Sequence, residues 1–125
     1  MFTFCEHLNI KLTFGMKVHL IKKETIDSFA RQNVQSRTSF NEFLTKLKYA
    51  DWKTSADMQV TFPSTDLLGN GSHRAVFDIG GNKYRMIVKY GFGETQIHIF
   101  ICWIGTHAQY TKLCDKEEQY TVFDY

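Results

Sequence analysis

The sequence predicts an α+β fold in which two N-terminal helices pack on one face of a small antiparallel sheet, followed by a short C-terminal helix. Apolar residues recur at helical spacing between residues 24 and 50, whereas they alternate with polar residues between residues 74 and 104. The glycine-containing segments 80–81 and 91–94 separate the alternating stretches and are typical of hairpin turns. A chain of 125 residues is long enough for one domain with a single core.

The first predicted strand is MKVHLI, residues 16–21. The preceding stretch MFTFCEHLNIKLTFG is not a signal peptide, because Glu6, His7 and Lys11 interrupt its apolar residues. We therefore expect Met16 to be the natural start. Residues 1–15 are then a non-native or loosely ordered extension, and residues 16–125 form the single domain.

Two helices are predicted to follow this strand. In KETIDSFARQN and the residue after it, apolar side chains fall at helical spacing: Ile26, Phe29, Ala30 and Val34. SRTSFNEFLTKLKYADW repeats the pattern with Phe40, Phe43, Leu44 and Leu47. Ser39 and Glu42 have the spacing of a capping box, although Ser36 or Thr38 could cap the helix instead. Residues 51–73 contain Pro63 and a GNG turn, which predicts a connecting segment with one short ordered piece.

Three strands are predicted next: RAVFDI (74–79), NKYRMIVKY (82–90) and TQIHIFICWI (95–104). A two-residue turn at Gly80-Gly81 would pair Ile79 with Asn82, and the next turn would pair Tyr90 with Thr95. This register defines an inner face, to be covered by the helices: Ala75, Phe77, Ile79, Tyr84, Met86, Val88, Ile97, Ile99, Ile101 and Trp103. The outer face, predicted to be exposed, collects Arg74, Val76, Asp78, Lys83, Arg85, Ile87, Lys89, Gln96, His98, Phe100 and Cys102.

Composition and cysteine spacing exclude several classes of protein. Hydrophobic residues make up 43 % and charged residues 22 % of the chain, a balance typical of globular domains. Three cysteines without CxxC spacing favour a reducing cytoplasm over a disulfide framework, and the five histidines show no metal-ligand spacing. We therefore expect a cytoplasmic protein with no metal and no cofactor.

The outer face points to nucleic acid. Lysines and arginines on an exposed sheet face more often contact water alone than bind a ligand. On this face, however, four of the five charges are positive, while the net charge of the whole chain is only +2. Phe100 and Ile87 lie among these charges, and an aromatic side chain among cations suits single-stranded RNA through stacking and phosphate contact. The predicted RNA-binding residues are Arg74, Lys83, Lys89, His98 and Phe100.

The stretch VFDIGGNKYR, residues 76–85, is followed about twenty residues later by THAQY, residues 106–110. Together with the connector FPSTDLL and the preceding helices, this combination resembles the HigB family of type II toxin–antitoxin toxins over about residues 16 to 115. HigB proteins belong to the RelE-like group of mRNA interferases. The resemblance implies a RelE-like fold with RNA on the outer face and cleavage of mRNA without a metal, in many members on the ribosome. It also implies a HigA-type helix-turn-helix antitoxin, with operator DNA bound only through that antitoxin.

Metal-free RNA cleavage needs a cation on the phosphate, a base for the ribose 2′-hydroxyl and an acid for the leaving oxygen. Arg85 matches the arginine of the family hairpin and is the predicted phosphate clamp, its alternative role being surface solubility. His107 matches the histidine of the TH-x-x-Y motif, and histidine as a residue type suits acid–base chemistry near neutral pH, although His107 could instead hydrogen-bond a loop. Tyr110, on the same side of the helix, either acts on RNA or anchors that helix in the core. Which of the two residues is the base stays open.

Two departures from the family pattern leave room for a second reading. Thr111 stands where an aspartate is expected, and Asp78 replaces the commoner asparagine of the hairpin. The first change leaves the orientation of His107 and Tyr110 uncertain, and the second adds a negative charge near the cations. The alternative to an endoribonuclease is therefore a non-catalytic module of the same fold, a decayed toxin that binds RNA, the ribosome or a protein.

Overall fold

The computed structural model describes residues 15–125. The prediction that residues 1–15 form an extension concerns residues that, except for Gly15, lie outside this described part. It therefore stays a prediction. Within residues 15–125, none of the helices has the length and the apolar character needed to cross a membrane.

The described chain forms six strands and four helices in an α+β arrangement. The strands are β1 (Met16–Ile21), β2 (Asp51–Trp52), β3 (Asp66–Leu68), β4 (Arg74–Ile79), β5 (Tyr84–Phe92) and β6 (Gln96–Thr106). The helices are α1 (Glu24–Gln32), α2 (Arg37–Lys48), α3 (Met58–Thr61) and α4 (His107–Asp115). The predicted fold class is confirmed, and residues 51–73 carry more regular structure than the single ordered piece that the sequence predicts.

The strands form one sheet in the order β2-β1-β6-β5-β4-β3. Strand β1 runs parallel to β6, with Val18 opposite Ile97 and Leu20 opposite Ile99, whereas the other neighbouring pairs are antiparallel. The sheet is therefore mixed, because the first strand is inserted beside the last one. The two helices between β1 and β2 lead the chain across one face of the sheet.

These helices cover the inner face and form the core. Ile26 of α1 and Phe40, Phe43 and Leu47 of α2 are buried against the sheet residues Phe77, Met86, Ile97 and Ile99. The helix α2 begins at Arg37, so Ser36 rather than Ser39 precedes it, and the Ser36 hydroxyl donates to the carbonyl of Asn33 at 2.6 Å. Val34 does not join the core, since 63 % of its surface is exposed.

The predicted register of the β4–β5 hairpin is wrong by two residues. Ile79 pairs with Tyr84 rather than with Asn82, so the turn contains residues 80–83 and not two glycines alone. Gly80 and Gly81 adopt positive φ angles of 68° and 67°, which suit glycine. Because side chains alternate with a period of two, a slip of two residues leaves each side chain on its predicted face.

The predicted register of β5 and β6 is also wrong, since Tyr90 pairs with Ile99 rather than with Thr95. A β-bulge makes a further correction. On β6 the partner of Val88 is Ile101, while the partner of Ile87 is Trp103, so Cys102 is the additional residue. Beyond the bulge the alternation is reversed. Trp103, predicted on the inner face, lies on the outer face with Cys102, and Ile104 takes its place in the core.

The middle of the outer face is covered, contrary to the expectation that this face is exposed. Val76, Ile87, Cys102 and Trp103 form a second buried cluster. Over them lie residues from β3, from α4 and from the C-terminal segment, which we define as residues 116–125: Leu68, Tyr110, Leu113 and Val122. The backbone N–H of Asp124 also donates to the carbonyl of Cys102 at 2.8 Å. The chain end thus folds back onto the sheet and divides the outer face in two.

Candidate active site at one end of the outer face

Arg85 lies on the outer face near the start of β5, between Asp78 of β4 and Gly105 of β6. Its Nε donates to Asp78 Oδ1 at 3.1 Å, and only 11 % of the Arg85 side chain is exposed. Its Nη2 and Nη1 make longer contacts, to Asn82 Oδ1 at 3.3 Å and to the carbonyl of Tyr84 at 3.4 Å. The guanidinium is therefore held in one orientation by the neighbouring strand and the β4–β5 turn.

Asp78 is a partner of Arg85 that the sequence alone did not identify as one. Its side chain is 20 % exposed, so the ion pair is partly desolvated. A guanidinium has five N–H donors, and the bond to Asp78 uses the one on Nε. The Nη groups, held only by contacts of 3.3 Å or longer, are the ones that an incoming phosphate could take over.

His107 is the first residue of α4, and its position follows from the cap before it. Thr106 accepts a hydrogen bond from the Gln109 N–H at 3.2 Å, and the Gln109 side chain accepts one from the Thr106 N–H at 2.8 Å. This capping box makes Thr106 the N-cap of α4. The backbone N–H of His107 donates to the carbonyl of Lys83 at 3.1 Å, so the helix start is attached to the turn that precedes Arg85. His107 itself is exposed to solvent.

Tyr110 lies one helical turn further and is half-buried against Trp103, with ring centroids 6.1 Å apart. Burial raises the pKa of Tyr110 well above its usual range, and the neighbouring Cys114 thiol adds to the increase. The positive charge of Arg85 acts in the opposite direction on this pKa. The Tyr110 hydroxyl therefore stays protonated at neutral pH and can donate a hydrogen bond.

Trp103 and Gly105 complete this end of the outer face, and sequence analysis missed both. A Cβ atom built on Gly105 would come within 2.5 Å of the Trp103 ring and within 2.7 Å of Gln109 Oε1. The indole thus lies directly over the glycine that pairs with Arg85. The sequence gives no sign of the bulge, and without a bulge strict alternation along β6 would place Trp103 on the inner face.

The structure does not bring the five predicted RNA-binding residues together. Lys83 is exposed in the β4–β5 turn, beside the start of α4. Lys89 and Phe100 are exposed neighbours on β5 and β6, with the half-buried His98 one step further along β6. These three residues lie beyond the C-terminal segment, away from Arg85.

Arg74 is not on the open surface at all. It is only 5 % exposed, and its Nη1 donates to the carbonyls of Val122 at 2.6 Å and Gln119 at 3.2 Å. Its guanidinium therefore binds the C-terminal segment in this structure. We assign Arg74 the structural role of attaching that segment to the sheet.

A cleft of about 670 Å³ adjoins the site on its other side, between α2 and the β4–β5 turn. Phe43, Phe62 and Ile79 provide its apolar lining, and Asp78 and Gly81 belong to its wall. The ion pair between Asp78 and Arg85 thus stands between this cleft and the outer face.

The cluster of Arg85, Lys83, His107 and Tyr110 combines an oriented guanidinium with an exposed imidazole and a neutral phenol. The chain is 28 % identical to the mRNA interferase HigB of Escherichia coli O6:H1 (strain CFT073) over 96 residues, which cover 77 % of this chain and 91 % of that relative. The family model of HigB toxins, described as the RelE-like toxic component of a toxin-antitoxin system, matches residues 36–113. Because this match spans more than half of the chain, the protein belongs to the HigB toxin family.

Proposed function

We propose that the protein is an endoribonuclease that cleaves messenger RNA and acts as the toxin of a toxin–antitoxin pair. The observation that carries this proposal is the placement of Arg85 beside the start of α4. The strand pairing of Arg85 with Gly105 and the hydrogen bond from His107 to Lys83 attach both elements to the same turn. This arrangement offers a phosphate a fixed cation next to an imidazole, a group that can accept or donate a proton.

In the proposed reaction the ribose 2′-hydroxyl attacks the adjacent phosphorus, and the bond from phosphorus to the 5′ oxygen breaks. The products are a 2′,3′-cyclic phosphate and a 5′-hydroxyl. Arg85 holds the non-bridging oxygens as negative charge builds up on them. His107 accepts the proton of the attacking 2′-hydroxyl and returns it to the departing 5′ oxygen, whereas Tyr110 stays protonated and donates a hydrogen bond to the substrate. No metal ion takes part in this scheme.

RNA contacts away from the scissile phosphate are assigned to two areas. Lys83 lies beside the reaction site, and Lys89, His98 and Phe100 form an open area beyond the C-terminal segment. Cations and an exposed aromatic ring are suited to phosphate contact and base stacking respectively. Arg74 is left out of this set because it is buried.

A non-catalytic binding module is the second candidate, and the Asp78–Arg85 ion pair favours it. A carboxylate at 3.1 Å from Nε competes with a phosphate for the guanidinium, and the Arg85 side chain is only 11 % exposed. In this alternative the protein binds RNA, the ribosome or a protein partner and leaves RNA intact.

The decisive experiment incubates the purified protein with messenger RNA, alone and with translating ribosomes, and analyses the ends of the products. Cleavage with 2′,3′-cyclic phosphate ends that persists in EDTA is expected. Arg85→Ala should lower the rate by about 10²–10³-fold, as loss of an oriented transition-state donor does elsewhere. Arg31→Ala, on the exposed surface of α1, is the matched control. Binding of RNA without any new ends in both conditions would favour the binding module.

The proposed partners follow from membership of the HigB toxin family. A HigA-type helix-turn-helix antitoxin neutralises the toxin in the cytoplasm, operator DNA is contacted only through that antitoxin, and the ribosome presents the message. Induced expression in a bacterium should stop growth, and co-expression of a helix-turn-helix protein encoded beside the toxin gene should restore it. Growth arrest that persists with every such neighbour would contradict the antitoxin assignment.

A further inference from the structure

A pair of histidines on the outer face takes no part in the proposed proton transfer, although one of them, His98, also belongs to the area assigned to RNA contact. His19 of β1 and His98 of β6 are directly opposite each other in the parallel strand pair. Their Nδ1 atoms are 3.3 Å apart, and the rings meet edge to face with centroids 5.4 Å apart. His19 is exposed and His98 is half-buried, so solvent reaches the pair.

The separation of the two nitrogens matches the geometry of a transition-metal site. Two nitrogens bound at about 2.05 Å to one tetrahedral zinc ion are about 3.3 Å apart. Imidazole nitrogen is also a preferred ligand of zinc, copper and nickel. The two Nδ1 atoms are within hydrogen-bond distance of each other, and the tautomers decide which ring donates.

Binding an ion requires a change of tautomer in one of the two rings. The ring that carries the shared proton on Nδ1 must move it to Nε2, its other tautomeric position, which leaves both Nδ1 lone pairs free for the metal. Among residues 15–125 there is no group of three or more His, Cys, Asp or Glu side chains that could hold a metal, so water completes the coordination.

We propose that the His19–His98 pair binds a divalent ion of the zinc class and thereby connects β1 to β6. The two residues are 79 positions apart in the chain, and a link that closes a long loop has the largest effect on the unfolded ensemble. The bound ion should therefore stabilise the attachment of the first strand to the sheet. This function does not depend on RNA cleavage.

The test titrates zinc chloride into the untagged full-length protein at pH 7.5 by calorimetry. Saturable binding with one ion per chain is expected, together with a higher melting temperature in the presence of zinc. Loss of a group that merely supports a ligand weakens metal binding 10–100-fold, so His19→Ala and His98→Ala should each weaken it by at least about tenfold. His73→Asn, which keeps a residue that tolerates the positive φ of 54° at that exposed site, should leave binding unchanged.

Two further measurements on the unaltered protein distinguish loss of metal binding from misfolding of the alanine variants. Zinc should shift the imidazole NMR signals of His19 and His98 together in the unaltered protein, and binding should weaken as the pH falls, because only neutral imidazoles bind metal. Absence of saturable binding would overturn the proposal. So would zinc affinity that survives both alanine substitutions, or signals of the two histidines that do not move.

Discussion

Replacing Arg74 by methionine tests whether this residue is a structural anchor or an RNA contact. Its guanidinium donates to two carbonyls of the C-terminal segment, at 2.6 Å and 3.2 Å, and its surface is 5 % exposed. Methionine fills a similar apolar volume but donates no hydrogen bond. The difference between the two proteins therefore reports the polar attachment of the C-terminal segment.

The expected loss follows from these two contacts. A hydrogen bond from a charged donor contributes about 1.5–3 kcal/mol, and the two carbonyls can recover part of this by binding water. The substitution also removes the buried positive charge of Arg74, and the desolvation cost of that charge offsets a further part of the lost stability. We therefore expect Arg74→Met to lower the free energy of unfolding by about 2–4 kcal/mol.

Urea unfolding followed by intrinsic fluorescence measures this change. Lys89→Met is the control, because Lys89 is the exposed cross-strand neighbour of Arg74 and its replacement should change stability by less than about 0.5 kcal/mol. The anchoring role is refuted if Arg74→Met is as stable as Lys89→Met and yet binds RNA much more weakly than the unaltered protein. Arg74 would then contact RNA.

Three further substitutions test other parts of the structure by urea unfolding. Gly105→Ala places a methyl group against the Trp103 ring and should destabilise the fold by about 1–3 kcal/mol with a change in tryptophan fluorescence; unaltered emission would mean that the indole does not lie over residue 105. Thr106→Ala removes the acceptor of the Gln109 N–H and should cost about 1 kcal/mol, and no loss would rule out this cap. Two backbone N–H groups hold the pKa of Asp57 below its usual value. The ionised Asp57 carboxylate therefore stabilises the fold above about pH 4, and this stabilisation is lost as the pH falls through the pKa of Asp57 in the folded protein. Asp57→Asn should therefore reduce stability at neutral pH and flatten the loss on acidification; an unchanged pH profile would contradict this assignment.

The candidate site was partly predictable because its residues belong to short segments with clear local signals. Arg85 sits at an alternating position of a strand, and the register error of two residues does not change its face. His107 follows Thr106, whose capping role can be read from the sequence. The ion pair with Asp78 could not be predicted as a contact, since it requires the true register of the hairpin.

The RNA-binding set was less predictable, because burial depends on which distant segments fold over a face. Arg74 has the same alternating position as Lys89, yet the C-terminal segment covers one and leaves the other exposed. No local pattern in residues 116–125 indicates where this segment lies. The roles of Lys83, Lys89, His98 and Phe100 in binding RNA stay predictions.

The sequence by itself determined helices α1, α2 and α4, the three hairpin strands and the face on which Arg85 lies, since the spacing of apolar side chains follows directly from local backbone geometry. Only the tertiary structure decided the rest: the parallel pairing of β1 with β6, the bulge at Cys102 and the position of the chain end. The run ICWIG is apolar on both faces, so alternation cannot reveal an extra residue within it. Pairing between strands some eighty residues apart depends on the competition among all possible partners for one core, which no short window of sequence contains.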